Sequence, residues 1–487
     1  VTRRRLSLRA ARDAQGADGQ LLRAGFARIR TELQLPETFP APVLADAAQA
    51  VDGGGPGAGQ RAATARVDLT ELHFLTIDPP GSMDLDQAMH LERRGDGFRV
   101  RYAIADVAPF VAPGGVLDAE THRRGQTLYS PDERTPLHPP LISEGAASLL
   151  PGETRPAVVW TLDLDSSGET QAVDVRRGTV RSRDRLDYAG AQRAIDDRSD
   201  ERLNLLAEVG RLRKQLEIDR GGVSLPVPEQ EIEPDGDGGF RLGYRAPLPV
   251  ESWNEQISLM TGMAAASIML HGEIGLLRTL PAAPAEEIRQ LRRSAAALGV
   301  DWAADTPYAE MIRGLDPHEP NQAALAEQST VLLRGAGYTA FDGGLPDHAT
   351  HAAVAGEYAH ATAPLRRLAD RYVSEVCLCL VAGVEIPDWV RRGLPGLPAR
   401  MSESDQRAGN LERECLALME AVVLRSSVGE VFDAVVVEVS QRGGGIVQLR
   451  EPAVRARCSG DLPLGERVRV RLAEADVDRR TVGFVPG

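Results

Sequence analysis

Thr76-Ile77-Asp78-Pro79-Pro80-Gly81-Ser82-Met83-Asp84-Leu85-Asp86-Gln87-Ala88 sets three carboxylates within nine residues, in a loop tightened by Pro-Pro-Gly and entered directly from an apolar run. Hard divalent cations take oxygen ligands, and Mg²⁺ is ordinarily held by one or two carboxylates plus substrate phosphate oxygens. Asp78, Asp84 and Asp86, with the Gln87 amide beside them, are therefore candidate ligands for one or two ions. Two such ions can stabilise the attacking and leaving oxygens of an in-line phosphoryl displacement. A solvated acidic turn is the plainer alternative. An EF-hand is not, because neither the spacing nor the end of the loop supplies its terminal glutamate.

A second stretch lies far downstream: Tyr358-Ala-His360-Ala-Thr362-Ala-Pro364-Leu-Arg366-Arg367-Leu-Ala-Asp370-Arg371. Proline before two arginines and an apolar-periodic segment predicts a helix opening at Pro364, with both guanidinium groups on its first turn. Arginines at a helix N-terminus make an anion site. Its sign is opposite to that of the aspartate loop, as phosphodiester hydrolysis requires. His348, His351 and His360 raise a zinc alternative, but no CxxC or HExxH accompanies them and the spacing is poor.

Composition bounds the rest. A chain of 487 residues with 43% hydrophobic content is long enough for two to four packed domains. No apolar run approaches the roughly 18 residues that span a bilayer, and Val-Thr-Arg-Arg-Arg leads into a polar helical pattern, so no membrane association and a cytoplasmic protein are expected. The four cysteines lack CxxC spacing and read as small core residues. A net charge of −14 argues against a protein that coats nucleic acid through a basic surface. Any phosphate-binding charge must be local, and it is almost all arginine, since Lys214 is the single lysine.

Along the chain, Leu21, Leu22, Phe26, Ile29 and Leu33 fall at helical spacing, and a second helix is predicted around Val43–Val51, before a Gly-rich linker from Asp52. Short β runs follow at Phe74–Ile77, Phe98–Ile104, Ala157–Asp163 and Gln171–Val175, the last two as a hairpin. Helices are predicted at Leu203–Ile218, Val250–Leu270, Ala285–Ala297 and, from a capping box of Ser402 with Asp405, to about Leu424. Residues from Val428 to Gly487 alternate apolar and polar in short runs, the pattern of a small β-barrel. The expected class is α+β. The divisions are a helical region and linker over 1–65, a mixed catalytic domain over 66–426, and a barrel over 427–487.

The two motifs together resemble the ribonuclease II family, whose RNB catalytic domain carries T-I-D-x(5)-D-[IL]-D-D-A and H-x-T-S-P-[IL]-R-[RK]-[YF]-x-D. The first is matched at Thr76, Ile77, Asp78, Asp84, Leu85, Asp86 and Ala88. The second is matched at His360, Thr362, Pro364, Leu365, Arg366, Arg367 and Asp370. Ala103–Val107, Gly125–Leu141 and Leu149–Arg155 resemble further family segments. The resemblance implies a metal-dependent 3′→5′ exoribonuclease that uses Mg²⁺ or Mn²⁺, acts on RNA with a single-stranded 3′ end, and releases nucleoside 5′-monophosphates as a monomer. It assigns Asp78, Asp84, Asp86 and Gln87 to metal, with Asp86 also acting on the attacking water and Arg366 stabilising the transition state. Tyr129, Tyr358, His360, Arg367 and Glu412 become candidate RNA contacts, and the barrel becomes an OB-fold RNA-binding domain.

Three positions depart from the pattern: Gln87 for the fourth aspartate, Ala363 for the serine, and Ala103 for a histidine. The neutral Gln87 keeps a catalytically silent RNA-binding protein in play as the alternative. A phosphatase of small phosphoesters is a third reading, disfavoured by the barrel. Only about 65 residues precede the catalytic domain, so the cold-shock barrels usual in the family are expected to be replaced by a compact helical unit, for which a helix-turn-helix is one candidate form. Arg3, Arg4, Arg5, Arg9 and Arg12 make its start basic.

Overall fold

Alternating β-branched, aromatic and polar residues build a twisted sheet that carries the acidic loop at one strand end. In the computed structural model, residues 17–53, 66–223, 229–234, 240–245, 247–316, 319–440, 443–449 and 451–487 are described. Its first eight strands are β1 (Val67–Asp68), β2 (Phe74–Ile77), β3 (Gln87–Arg94), β4 (Gly97–Ala105), β5 (Leu128–Tyr129), β6 (Arg134–Thr135), β7 (Thr154–Leu164) and β8 (Thr170–Leu186). Six of them form one sheet in the order β1-β8-β2-β3-β4-β7, and β7 also pairs with β8, so β8, β2, β3, β4 and β7 close on themselves. The β7–β8 pair is the expected hairpin.

The length of β8 decides where the loop goes. Its first part runs antiparallel to β7, and its last residues turn parallel to β2, setting Phe74 against Ser182 and Ile77 against Leu186. One sheet face, with Leu75, Ile77, Tyr102, Ile104 and the fully buried Trp160, packs against helices Glu201–Asp219, Pro249–His271 and Leu368–Ala382 in a common core. Such burial removes apolar surface at roughly 25 cal/mol per Å².

Residues Val431–Val439, Gly445–Leu449, Arg455–Cys458, Arg467–Asp476 and Thr481–Pro486 close into a five-stranded barrel, as an OB-fold requires. The strand Arg455–Cys458 is too short to be read from alternation. Leu280, Leu291, Ile312, Leu325 and Leu332 of the helical segment before it form their own cluster with Val435 and Val437 of the barrel.

Several local expectations change. The long helix spans Leu397–Leu424 and has a proline in its first turn, where no N–H is needed, so Pro398 belongs to the helix and Ser402 lies inside it rather than capping it. The helices Ala17–Glu32 and Ala41–Val51 do not make one compact unit. Leu22, Phe26 and Ile29 join the cluster of the long helix and barrel, whereas Val43 and Ala47 pack with Phe74, Leu85 and Leu117. Most of the Gly-rich stretch, 54–59, and the basic start with Arg3, Arg4, Arg5, Arg9 and Arg12 lie outside the described residues. Among the described residues no helix is long and apolar enough to cross a membrane.

Candidate active site

The acidic loop is fixed at both ends by backbone bonds. Where β2 stops, Asp78 N–H donates to Leu186 O (3.1 Å), and where β3 begins, Asp86 O accepts from Ala105 N–H (2.8 Å). Ser148 holds the middle: its hydroxyl accepts from Leu85 N–H (3.0 Å) and donates to Met83 O (2.6 Å). Leu85, between Asp84 and Asp86, is fully buried with Phe74 and Ala88, which anchors the middle of the loop.

Asp86 meets the arginine motif directly. One carboxylate oxygen accepts from Leu365 N–H (2.7 Å) and the other from Arg366 Nε (2.6 Å), across 280 residues of sequence. Burial pushes the Asp86 carboxyl up to about 7, against the lowering pull of Arg366 and of the Leu365 amide, while the charge of Asp84 adds to the rise. A carboxyl poised near neutral pH suits general acid–base work. The Arg366 side chain remains about a third exposed, so it reaches both the buried acid and the solvent side.

The arginines do not open a helix. Helix Leu368–Ala382 starts one residue after Arg367, and Pro364, Arg366 and Arg367 form a turn before it. Their backbone is drawn instead into pairing with the segment before β5: Thr127 N–H donates to Arg366 O (2.9 Å), and Leu368 N–H to Gly125 O (3.0 Å). The fully buried Asp370 fixes this turn by accepting from Ala363 N–H (2.7 Å) and pairing with Arg367 through two bonds of 2.9 Å. Arg367 is thereby committed to the turn.

Asp84 is engaged from the β5–β6 hairpin. Tyr129 and Arg134 stand opposite one another there. Arg134 bonds Asp84 Oδ1 (2.6 Å) and Glu144 (2.6 Å), and the Tyr129 hydroxyl lies 3.4 Å from Asp84 Oδ2, with the residue 53% exposed. Gln87 is held at both ends of its amide, donating to Thr362 O (2.7 Å) and accepting from the Tyr102 hydroxyl (2.5 Å). It ties the two motifs together.

Tyr358 and His360 sit beside this centre in an aromatic cluster. Their rings meet edge-on at 5.5 Å, and the Tyr338 hydroxyl is 2.6 Å from His360 Nδ1. Arg278 lies over the Tyr338 ring and pairs with Asp405 of the long helix (3.2 Å). Burial lowers His360 well below the ordinary histidine range, leaving it neutral. His351 packs edge-on against Tyr358 at 5.8 Å, so two of the three histidines serve this cluster. Glu412 is half-buried on the long helix, whereas Glu414 pairs with Arg480 of the barrel (3.2 Å).

Sequence reading missed Arg134, Glu144, Tyr102, Tyr338 and Arg278, and gave Asp405 a capping role where the structure pairs it with Arg278. Arg134 sits within the segment Gly125–Leu141, but nothing local marks its charge as reaching Asp84. Among the described residues no three His, Cys, Asp or Glu side chains gather into a ready-made metal cage.

Comparison with known proteins agrees with this architecture. The RNB domain model matches residues 66–381, and the RNase II-type exonuclease C-terminal S1 domain matches 430–487. The chain is 28% identical over 379 residues to the exosome complex exonuclease RRP44 homolog A of Arabidopsis thaliana, covering 74% of this chain and 40% of that protein. It is 26% identical over 476 residues to Ribonuclease R of Escherichia coli K12, covering 87% and 58%. The chain thus spans about half the length of these curated relatives. In fold it is similar to the apo form of Mycoplasma genitalium RNase R, with a TM-score of 0.84 and 19% identity over 96% of this chain and 78% of that one. It is also similar to yeast Ssd1, a pseudonuclease, with a TM-score of 0.66 and 16% identity over 85% and 52%. With the family model matching well over half of its residues, and both motifs meeting at one centre, the chain belongs to the RNB domain family.

Proposed function

We propose that this chain is a hydrolytic 3′→5′ exoribonuclease that shortens RNA from a single-stranded 3′ end and releases nucleoside 5′-monophosphates. The observation that carries the reading is the Asp86–Arg366 pair, which joins the acidic loop to the arginine turn beside the exposed ring of Tyr129. In this reading Asp86 orients the attacking water and takes its proton, and Arg366 meets the charge developing on the phosphate oxygens. Tyr129 stacks on the terminal base, a contact that tolerates any sequence. Tyr358, His360 and Glu412 line the approach of the strand, and Arg367 keeps Arg366 in place through its bonds to Asp370.

The donor set consists of hard oxygens and fits Mg²⁺ or Mn²⁺ held by few protein ligands, with substrate oxygens completing the shell. Asp84 and Asp86, whose charges act on one another, would hold the ion, with Asp78 at the entrance of the loop as the further expected ligand, and when bound it supplies Lewis acidity and a more acidic water. Gln87 contributes less than the family's aspartate, because its amide already bonds Tyr102 and Thr362. A cytoplasmic monomer goes with the proposal, and the buried free cysteines suit a reducing compartment.

That engaged Gln87 favours one second reading, an RNA-binding protein that does not cleave. Incubation of 5′-labelled RNA with purified protein and Mg²⁺ separates the two. A ladder shrinking one nucleotide at a time with wild type, and intact RNA with Asp86→Asn, is expected for the nuclease. RNA retained in a complex but never shortened would establish the binder, and equal decay with both proteins would sink the assignment.

A further inference from the structure

The helix Ala17–Glu32 lies outside the region matched by the RNB domain model, yet it touches the active-site hairpin. Its apolar face is fixed. Leu22, Phe26 and Ile29 are buried with Leu411, Cys415 and Leu418 of the long helix, and Leu128 of β5 belongs to the same cluster. Gly25 permits the close approach, since a Cβ there would lie 2.4 Å from a Leu418 methyl carbon. The polar face is fixed as well. Arg28 bonds Asp478 of the barrel (3.1 Å), and Glu32 bonds Arg480 (2.5 Å), which also holds Glu414.

From this braced helix the Arg30 side chain reaches the turn of the hairpin. Arg30, 11% exposed, bonds Asp132 Oδ1 (2.6 Å), Ser130 Oγ (2.9 Å) and Glu133 (3.2 Å). Those residues make up the turn of the hairpin, which is closed by Ser130 N–H donating to Glu133 O (2.9 Å). The residues flanking the turn, Tyr129 and Arg134, both contact Asp84. A guanidinium presents several donors in a rigid fork, so bonds to three side chains of one turn fix its orientation as well as its position.

We infer that Arg30 is a positioning residue for the terminal-nucleotide site, setting through the Ser130–Glu133 turn where Tyr129 and Arg134 stand against Asp84. The inference rests on the nuclease reading for the identity of the substrate. Physically, the turn also carries two acidic side chains, and removing Arg30 takes away a positive charge that faces both of them beside the path of a polyanion. Removing the arginine therefore both loosens the Tyr129 ring and places repulsive charge near the incoming RNA.

A double-mutant cycle with Tyr129 tests this, using a short 5′-labelled single-stranded RNA. Arg30→Ala is expected to raise KM about tenfold, with kcat within about threefold of wild type, the size of a lost positioning contact worth about 1.4 kcal/mol. Arg30→Lys keeps the charge but not the fork and should recover part of that loss. The decisive readout is coupling: if Arg30 acts through Tyr129, adding Arg30→Ala to Tyr129→Ala costs clearly less than it costs alone. Effects that multiply fully, or a fall in kcat with unchanged KM, would overturn the inference.

The same cycle read by fluorescence anisotropy, as RNA affinity in Mg²⁺, separates this inference from the nuclease reading. A wild type that binds but does not cleave refutes only the latter, and coupling in affinity would still sustain the role of Arg30. Should Arg30→Ala fold poorly, Asp132→Asn probes the same link from the hairpin side and is expected to raise KM in the same direction.

Discussion

Gly262 lies buried in helix Pro249–His271, where a methyl group should help the helix and harm the site. Alanine is the better helix former by about 1 kcal/mol. A Cβ at Gly262, however, would come within 2.2 Å of Tyr358 Cε2 and 2.5 Å of the backbone oxygen of Ala359. The ring could swing aside, but the backbone is tied on both sides, by Ala359 N–H to Gly262 O (3.1 Å) and by Arg278 N–H to Tyr358 O (2.8 Å). The segment from Tyr358 must therefore retreat by about half an ångström or more in a close-packed interior. Overpacking of this kind costs about 1–3 kcal/mol, so the net loss of stability after the helix gain is about 0–2 kcal/mol.

Activity should suffer more, because the displaced segment leads into the turn carrying Arg366. A misplacement near 1 Å costs on the order of 100-fold in rate, so Gly262→Ala is expected to lose about 10- to 100-fold in kcat. Single-turnover decay of a labelled RNA gives the rate, and urea unfolding gives the stability. A variant with wild-type rate would refute the coupling between this helix position and the arginine turn.

Other perturbations have equally definite outcomes. Asp370→Asn removes the charge facing Arg367 at a fully buried site, and about 1–3 kcal/mol of stability should go with it, less than for a fully buried pair because Arg367 is partly exposed; urea midpoints check this. Burial lowers His138 to about 4 and His351 to about 3, so the unfolded chain binds protons first as pH falls. Their contribution is complete above about pH 6.5 and drains away towards their folded values, by about 1.4 kcal/mol per unit and per histidine, and His138→Asn should flatten a plot of urea midpoint against pH between 6.5 and 4.5. Chelation by EDTA should stop RNA shortening and added Mg²⁺ or Mn²⁺ restore it, whereas decay undiminished by EDTA would contradict the assigned role of the aspartates.

Much of the site was legible because its chemistry is written in contiguous residues. The run from Thr76 to Ala88 declares its carboxylates, and the run from Tyr358 to Arg371 its cations. The hairpin of β7 and β8 and the closing barrel were legible through alternation, which records which face of a strand is buried. Helix starts were less so. Pro398 and Pro364 carry the same local signal, yet the first opens a helix and the second does not, because the backbone after Pro364 is claimed by Gly125 and Thr127.

By itself the sequence determined the α+β class, the barrel at the end and the identity of the charged groups that can act on a phosphodiester. These follow from local periodicity and residue type, which need no knowledge of distant neighbours. Only the tertiary structure decided that Asp86 and Arg366 meet, that Arg134 and Tyr129 share Asp84, and that Gln87 is bonded at both ends. Each of those is a contact across tens to hundreds of residues, selected by the parallel return of β8 and the packing of helices on one sheet face. No local pattern encodes such a contact, because the same side chains would read identically had the chain folded them apart.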